Sequence, residues 1–383
     1  MANRYWVGGA GTWDNASTSN WSSISGGASG ASVPTLSDNV FFDSNSGTGV
    51  VSVTSTATSS NTTINSATIE LSLTGNPTIC INNGVLTLTS GVLTLNTYTL
   101  NTSLFNSNGS TVRTINFGTG NITLTSSGQR ILDLRTITNL TITGTPVFNA
   151  VYSGAVGTRT IETGALSETS AVTLNVTAGT DIITNAATSN YKNLNFTGFA
   201  GTWNSAAAQT AYGDLTVSAG LTVGASTASL TFGGTSGTQF ITTNGKTLNR
   251  PLAFNGVGGT FAFQDALTQG STRAFTVTNG TVQLKNGVTS TVGSFITSGT
   301  NQKFLQSTLA GSQATLSQAS GTINANNLNI RDINAAGGAT WNAYVDQGNT
   351  DAGNNLGWAF GASPQASYEI TYRLRSFSTP RRF

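Results

Sequence analysis

Along most of this chain apolar and polar residues alternate over four to seven positions and then break at Gly or Asn. Ala67-Thr68-Ile69-Glu70-Leu71-Ser72-Leu73, Val85-Leu86-Thr87-Leu88 and Val92-Leu93-Thr94-Leu95 set the pattern. Ile122-Thr123-Leu124, Leu215-Thr216-Val217, Phe275-Thr276-Val277 and Val282-Gln283-Leu284 continue it. Short period-2 runs bounded by turn residues predict strands. No window carries a sustained i, i+3, i+4 apolar stripe, so helix is expected to be nearly absent. Asn-Gly pairs beginning at Asn83, Asn108, Asn244, Asn255, Asn279 and Asn286 predict positive-φ corners between the strands.

The pattern also repeats. Residues 173–203 align without a gap on residues 231–261, 58 positions later. Gly179-Thr180 meets Gly237-Thr238, Leu194 and Phe196 meet Leu252 and Phe254, and Trp203 meets Phe261. A weaker copy, Asn139-Leu140-Thr141-Ile142-Thr143-Gly144, precedes the first at a similar spacing. Self-similarity of this kind is the mark of a stacked fold in which each repeat contacts only its neighbours. The predicted fold is therefore all-β, a right-handed parallel β-helix with coils of roughly 20–29 residues. At about 4.8 Å per coil it would form a rod on the order of 50–70 Å long. Asn-Gly corners also suit hairpins, which leaves antiparallel β-sandwiches in series as the alternative.

Four segments follow. Residues 1–45 hold Trp6, Trp13 and Trp21, half of the six tryptophans, and predict an N-terminal aromatic cap. Residues 46–335 form the β-helix, 336–362 are closing loops, and 363–383 are a basic, strand-bearing tail.

Composition narrows the function classes. Charged residues are 8% and apolar residues 37% of the chain, with Thr, Ser, Asn and Gly making up the difference. Disorder normally pairs low hydrophobicity with high net charge; here the net charge is +2 and β-formers recur throughout. The lone Cys80 precludes an intramolecular disulfide and lies in the apolar run Thr78-Ile79-Cys80-Ile81, which predicts a small buried side chain. There is no histidine. No stretch approaches the roughly 20 apolar residues of a membrane span. The first six residues lack the apolar region of a secretory signal, so synthesis in the cytoplasm and release by lysis are expected.

Many β-helices degrade polysaccharide, so the carboxylates need inspection. Glycoside hydrolysis requires two facing acids, and a lyase requires a base. Glu70, Asp133, Glu162, Glu168, Asp181, Asp214 and Asp265 are scattered, and at the aligned repeat positions Asp181 falls opposite Gln239. No pair is legible, although the register that would create one elsewhere is not written in the sequence. No catalytic, cofactor-binding or metal site is assigned. Asp346, Asn349, Asp351, Asn354 and Asn355 form an oxygen-rich loop without the EF-hand's bidentate Glu, and turn chemistry explains it. Gly-Thr-Trp at 11–13 and 201–203 and Gly-Gly-Ala-Thr-Trp at 337–341 make Trp13, Trp341 and Trp358 candidate sugar platforms. The competing reading is that these rings cover core edges, because Trp203 aligns with Phe261.

Charge is concentrated at the end. Residues 1–364 carry net −1, whereas 365–383 carry Arg373, Arg375, Arg381 and Arg382 against Glu369. Four arginines beside a neutral body are a poor footprint for nucleic acid. They suit docking instead, with Ile370, Tyr372 and Leu374 adding a strand to a neighbouring chain while the arginines meet its carboxylates.

The segment YWVGGAGTWDNASTSNW with its continuation Pro34…Asp38-Asn39-Val40-Phe41-Phe42-Asp43 resembles a module of tailed-phage virion proteins. The closing GGATWNAYVDQGNTDAGNNLGWAF looks like the end of the same kind of protein. Similar segments occur in large bacterial surface proteins, which carry an export signal. The resemblance implies a non-enzymatic bacteriophage virion protein, a tail fibre or spike contacting host-surface glycan. The alternatives are a head fibre or capsid decoration protein, and a β-helical polysaccharide depolymerase. It further implies a homotrimer attached to other virion proteins through a terminus, with no membrane insertion and no cofactor.

Overall fold

The computed structural model describes residues 1–155 and 157–364; the side chain of Gln129 also lies outside the description. The chain is all-β, 47% strand and 1% helical, and its strands stack in parallel as a β-solenoid. Parallel pairing overturns the sandwich alternative. An antiparallel contact occurs where Trp21–Ser22 lies against Asn3–Trp6. Successive coils are unequal in length. Asn342 stacks on Asn324 after a short turn of the chain, whereas Asn39 stacks on Asn3 after one twice as long. The chain divides into two compact units after Ala228, a boundary that the alternating pattern does not mark.

In the first unit the coil has three faces. One stacks Asn3–Trp6, Asn39–Phe42, the start of Asn61–Leu73 and the start of Val85–Thr94. It continues through Leu104–Asn106, Gln129–Asp133, Thr158–Glu162 and Ile182–Thr184. A second runs from Gly11–Trp13 through Gly49–Val53 to Arg113–Asn116 and Leu140–Thr143. The third stacks Thr99–Thr102, Asn121–Leu124, Val147–Ala150, Val172–Val176 and Ser189–Asn195. Period-2 alternation sends Leu86, Leu88, Leu100, Ile122, Phe148 and Leu174 inward, each at most 1% exposed. A fully buried aliphatic or aromatic side chain of this size contributes about 1.5–3 kcal/mol.

The strands of the aromatic N-terminal segment join this stack, and Trp21–Ser22 covers the outer edge of Asn3–Trp6. Asn3–Trp6 and Gly11–Trp13 are already parallel and in register with the strands that follow. Trp6, Trp13, Trp21 and Phe42 are fully buried and touch at centroid distances of 5.0–6.3 Å. Large rings fill an end coil without altering its backbone register. The predicted closing loops behave in the same way. Thr322–Asn324, Thr340–Asn342 and Trp358–Ala359 continue the parallel pairing beyond residue 335, interrupted by one short 3-10 turn at Val345–Gln347.

The second unit is organised around an aromatic column. Phe232 lies 5.2 Å from Phe254, which lies 4.8 Å from Phe275. Phe275 is 5.9 Å from Phe295, which is 5.9 Å from Trp341. Trp341 then meets Trp358 at 5.0 Å. Strand register causes this: Phe232 pairs with Phe254, Phe275 with Phe295, and Trp341 with Trp358.

The two units bend their long strands at equivalent glycines. Gly91 lies in Val85–Thr94 with φ +101°, and Gly280 lies in Ala274–Leu284 with φ +83°. A Cβ on either would come within 2.4 Å of a carbonyl oxygen of the preceding coil, Ser66 or Gly256. Of the predicted Asn-Gly corners, Asn83 and Asn244 take positive φ themselves, whereas Gly280 and Gly287 do so after Asn279 and Asn286. Asn108-Gly109 and Asn255-Gly256 do not; the latter is inside the strand Leu252–Phe263.

Candidate functional site

Amide ladders run along two of the outer faces. Asn175 donates to Asn149 Oδ1 at 2.9 Å, Asn149 to Asn121 Oδ1 at 3.1 Å, and Asn121 to Thr99 Oγ1 at 3.1 Å. A second ladder links Asn61, Asn39 and Asn3 at 2.9 and 3.2 Å. Such amides bond to the coil above and below, and their residual donors and acceptors face solvent.

A charged cluster lies on the first face. Asp133 and Glu162 sit directly opposite each other on adjacent coils. In sequence they are two of several scattered acids, and the register brings them together. A β-bulge creates that register: it passes from Arg130–Thr160 to Leu132–Ile161, so Ile131 is the extra residue. Both carboxylates are covered, Glu162 completely and Asp133 to 6% exposure. Arg135 grips Asp133 with a two-bond fork, Nε to Oδ1 and Nη2 to Oδ2 at 2.9 Å each. Its Nε also lies 3.2 Å from Glu162 Oε2, which accepts a short bond from Arg130 Nε. The Ala186 amide donates to Glu162 Oε1 at 3.2 Å. The Asp133 hydrogen bond raises the Arg135 guanidinium above its ordinary range, opposed by burial and aided by the charges of Asp133 and Glu162.

Above the carboxylates the two guanidiniums reach the surface, with side-chain exposures of 37% and 36%. Arg130 uses Nε inward, and among the described residues neither of its Nη groups has a hydrogen-bond partner. Arg130 borders an open depression of about 550 Å³ whose described lining is Gly128, Arg130, Gly157, Thr158 and Thr160. Thr158 is exposed and Thr160 half-buried, and two of the five lining residues have no side chain.

Four basic residues that pattern reading did not single out are internal among the described residues: Arg113, Arg159, Arg250 and Lys303. Arg159 occupies a core position in register with Ile183 and is fully buried. It forks onto the equally buried Asp181 at 2.7 and 2.8 Å. The Tyr152 and Phe199 rings each lie 5.6 Å from its guanidinium. Arg113 donates to the carbonyls of Ser107, Thr111, Thr138 and Thr136, and Lys303 to those of Gly299 and Asn326. Burial lowers the pKa of both Arg113 and Lys303. Arg113 and Lys303 thereby satisfy corner carbonyls that the coil leaves without strand partners.

Two of the three candidate sugar platforms, Trp13 and Trp341, are corrected. Trp13 is 0% and Trp341 3% exposed, so neither presents a ring face to solvent. Trp358 is half-buried and packs on Trp341 in the aromatic column. The rings serve the core because their strand positions point inward. The oxygen-rich loop binds itself: Asp346 accepts from the Ser363 amide and hydroxyl, and Asp351 from the Gly353 amide and Asn355. Asn349 bridges the Ala325 and Tyr344 carbonyls, and Asn354 donates to Asp332. No group of three or more metal-ligating side chains occurs among the described residues. No helix among them is long and apolar enough to cross a membrane. Cys80 is buried, with its thiol pushed up by burial against hydrogen bonds from Ser59, Thr62 and Thr102. The docking strand Ile370, Tyr372 and Leu374, with Arg373, Arg375, Arg381 and Arg382, lies outside the described residues.

No protein-family model matches the chain, and no curated protein or solved structure matches it either.

Proposed function

We propose that this chain is a non-enzymatic structural protein of a bacteriophage virion, a tail fibre or spike whose outer faces contact host-surface glycan. One observation carries the non-enzymatic part: both members of the Asp133–Glu162 pair are engaged by arginines and withdrawn from solvent. A facing acid and base must reach substrate, and these two do not. The neutral Asn and Thr ladders supply a hydrogen-bonding surface suited to saccharide hydroxyls. The virion assignment rests on the resemblance of the Tyr5–Trp21 and Gly337–Phe360 segments to tailed-phage proteins. In this reading the protein is a homotrimer joined to other virion proteins through a terminus. It is made in the host cytoplasm and released by lysis.

Two experiments test the reading. Antibody labelling of purified particles should decorate the tail; decoration of the head would favour a head fibre, and unlabelled particles would overturn the virion assignment. Incubation with host polysaccharide should leave it intact. Released oligosaccharide or an unsaturated product would establish a depolymerase.

A further inference from the structure

We propose that the depression beside Arg130 is a binding site for an acidic saccharide unit, one carrying a carboxylate or a sulfate ester. The geometry separates charge by depth. Asp133 and Glu162 lie beneath, 8% and 0% exposed in their side chains, while the guanidiniums of Arg130 and Arg135 face outward. Glu162 holds Arg130 through Nε, which orients the guanidinium, and among the described residues no hydrogen bond engages its Nη groups, which leaves them for an incoming anion. A planar fork of two N–H groups matches the two oxygens of a carboxylate or sulfate.

The rest of the lining selects a sugar as the carrier of that anion. Thr158 and Thr160 offer hydroxyls beside the fork, and Gly128 and Gly157 let a ring approach the backbone. Gly157 is held at φ +118°, where a Cβ would meet the Ser127 carbonyl oxygen at 2.7 Å. Among the described residues no apolar side chain lines the depression, which favours a sugar over a peptide or lipid. A nucleic acid would need a row of cations, whereas Arg130 is the one charged residue among the described residues that line the depression. The inference rests on the glycan-contact reading for its choice of ligand and adds the chemical class and the place.

Titration calorimetry of the full chain with oligogalacturonate, dextran sulfate and plain dextran tests it. One or both acidic ligands should bind and plain dextran should not, the preferred acid identifying carboxylate or sulfate. Arg130→Gln should weaken the acidic ligand at least tenfold. Arg331→Gln, an equal loss of charge at an exposed position in the second unit, should change it less than twofold. Because Arg130→Gln also strips a partner from the buried Glu162, Arg130→Lys and Thr158→Val are measured alongside. Lysine keeps the charge over Glu162 but removes the fork, and should still weaken binding several-fold. Thr158→Val leaves every ion pair intact and should also weaken it. Equal losses in Arg130→Gln and Arg331→Gln, or none in Arg130→Lys and Thr158→Val, would overturn the site. Binding of plain dextran as strong as that of the acidic ligands would also overturn it, while keeping the glycan-contact reading. Failure of all three ligands would overturn the site and leave the virion assignment to the labelling of particles.

Discussion

Arg159 and Asp181 form a two-bond ion pair inside the first unit, Nε to Oδ2 at 2.7 Å and Nη2 to Oδ1 at 2.8 Å, with both side chains fully buried. Removing one partner leaves an uncompensated buried charge, whereas removing both exchanges desolvation cost for apolar packing. Arg159→Met should therefore destabilise the protein by about 3–5 kcal/mol, and Arg159→Met with Asp181→Leu by much less. Urea unfolding monitored by β-sheet circular dichroism compares them. A double variant as unstable as the single one would show that the pair's geometry, rather than its charge balance, holds the coil.

Phe254 touches Phe232, Phe261, Phe263 and Phe275, which makes it the junction of the aromatic column. Phe254→Ala should cost about 3–5 kcal/mol through lost transfer energy and an unfilled cavity. Phe254→Leu, which retains most of the volume, should cost clearly less. Denaturation midpoints of the two variants provide the check, and equal losses would mean that ring contacts outweigh volume.

Gly280 combines positive φ with a backbone contact that excludes a Cβ. Gly280→Ala should destabilise by more than about 1 kcal/mol, because strain and a clash with the Gly256 carbonyl act together. Gly109, with no heavy atom within 4 Å of an added Cβ and no positive φ, should accept alanine with little change. Thermal melts of both variants decide this, and similar melting temperatures would refute the corner's role.

Asp38 anchors the N-terminal turn by accepting the Ala2 amide at 2.9 Å and the Thr35 amide and hydroxyl at 3.0 and 2.8 Å. Burial pushes its pKa up, but the Thr35 hydroxyl, the Ala2 and Thr35 amides and the Arg4 charge outweigh it, and the net shift is downward. A depressed folded pKa stabilises the protein above the unfolded value of about 3.9, and the contribution is lost as pH falls through the lower folded value. Asp38→Asn should thus be less stable than the parent at pH 7, and the difference should shrink as pH falls below about 4. Urea midpoints measured across pH 2–7 test the sign; a difference that widened on acidification would contradict it.

The alternating pattern alone determined the all-β fold, the near absence of helix and the inward course of Leu194 and Phe254. Those outcomes need only a period of two and a buried face, both of which are local properties of the chain. Asp133 and Glu162 were different. They face each other because the length of the coil between them and a bulge at Ile131 bring them level, and no common coil length exists from which to predict it. Pattern reading does not single out Arg159, yet its strand places it in line with Ile183 and leaves Asp181 to neutralise it. Trp13 and Trp341 could serve a sugar or the core equally well by type, and their strand register turned both inward. Cross-coil register is set by how many residues each corner consumes and where a bulge adds one. That sum runs over several turns at once, so only the tertiary structure decides which charges share a site.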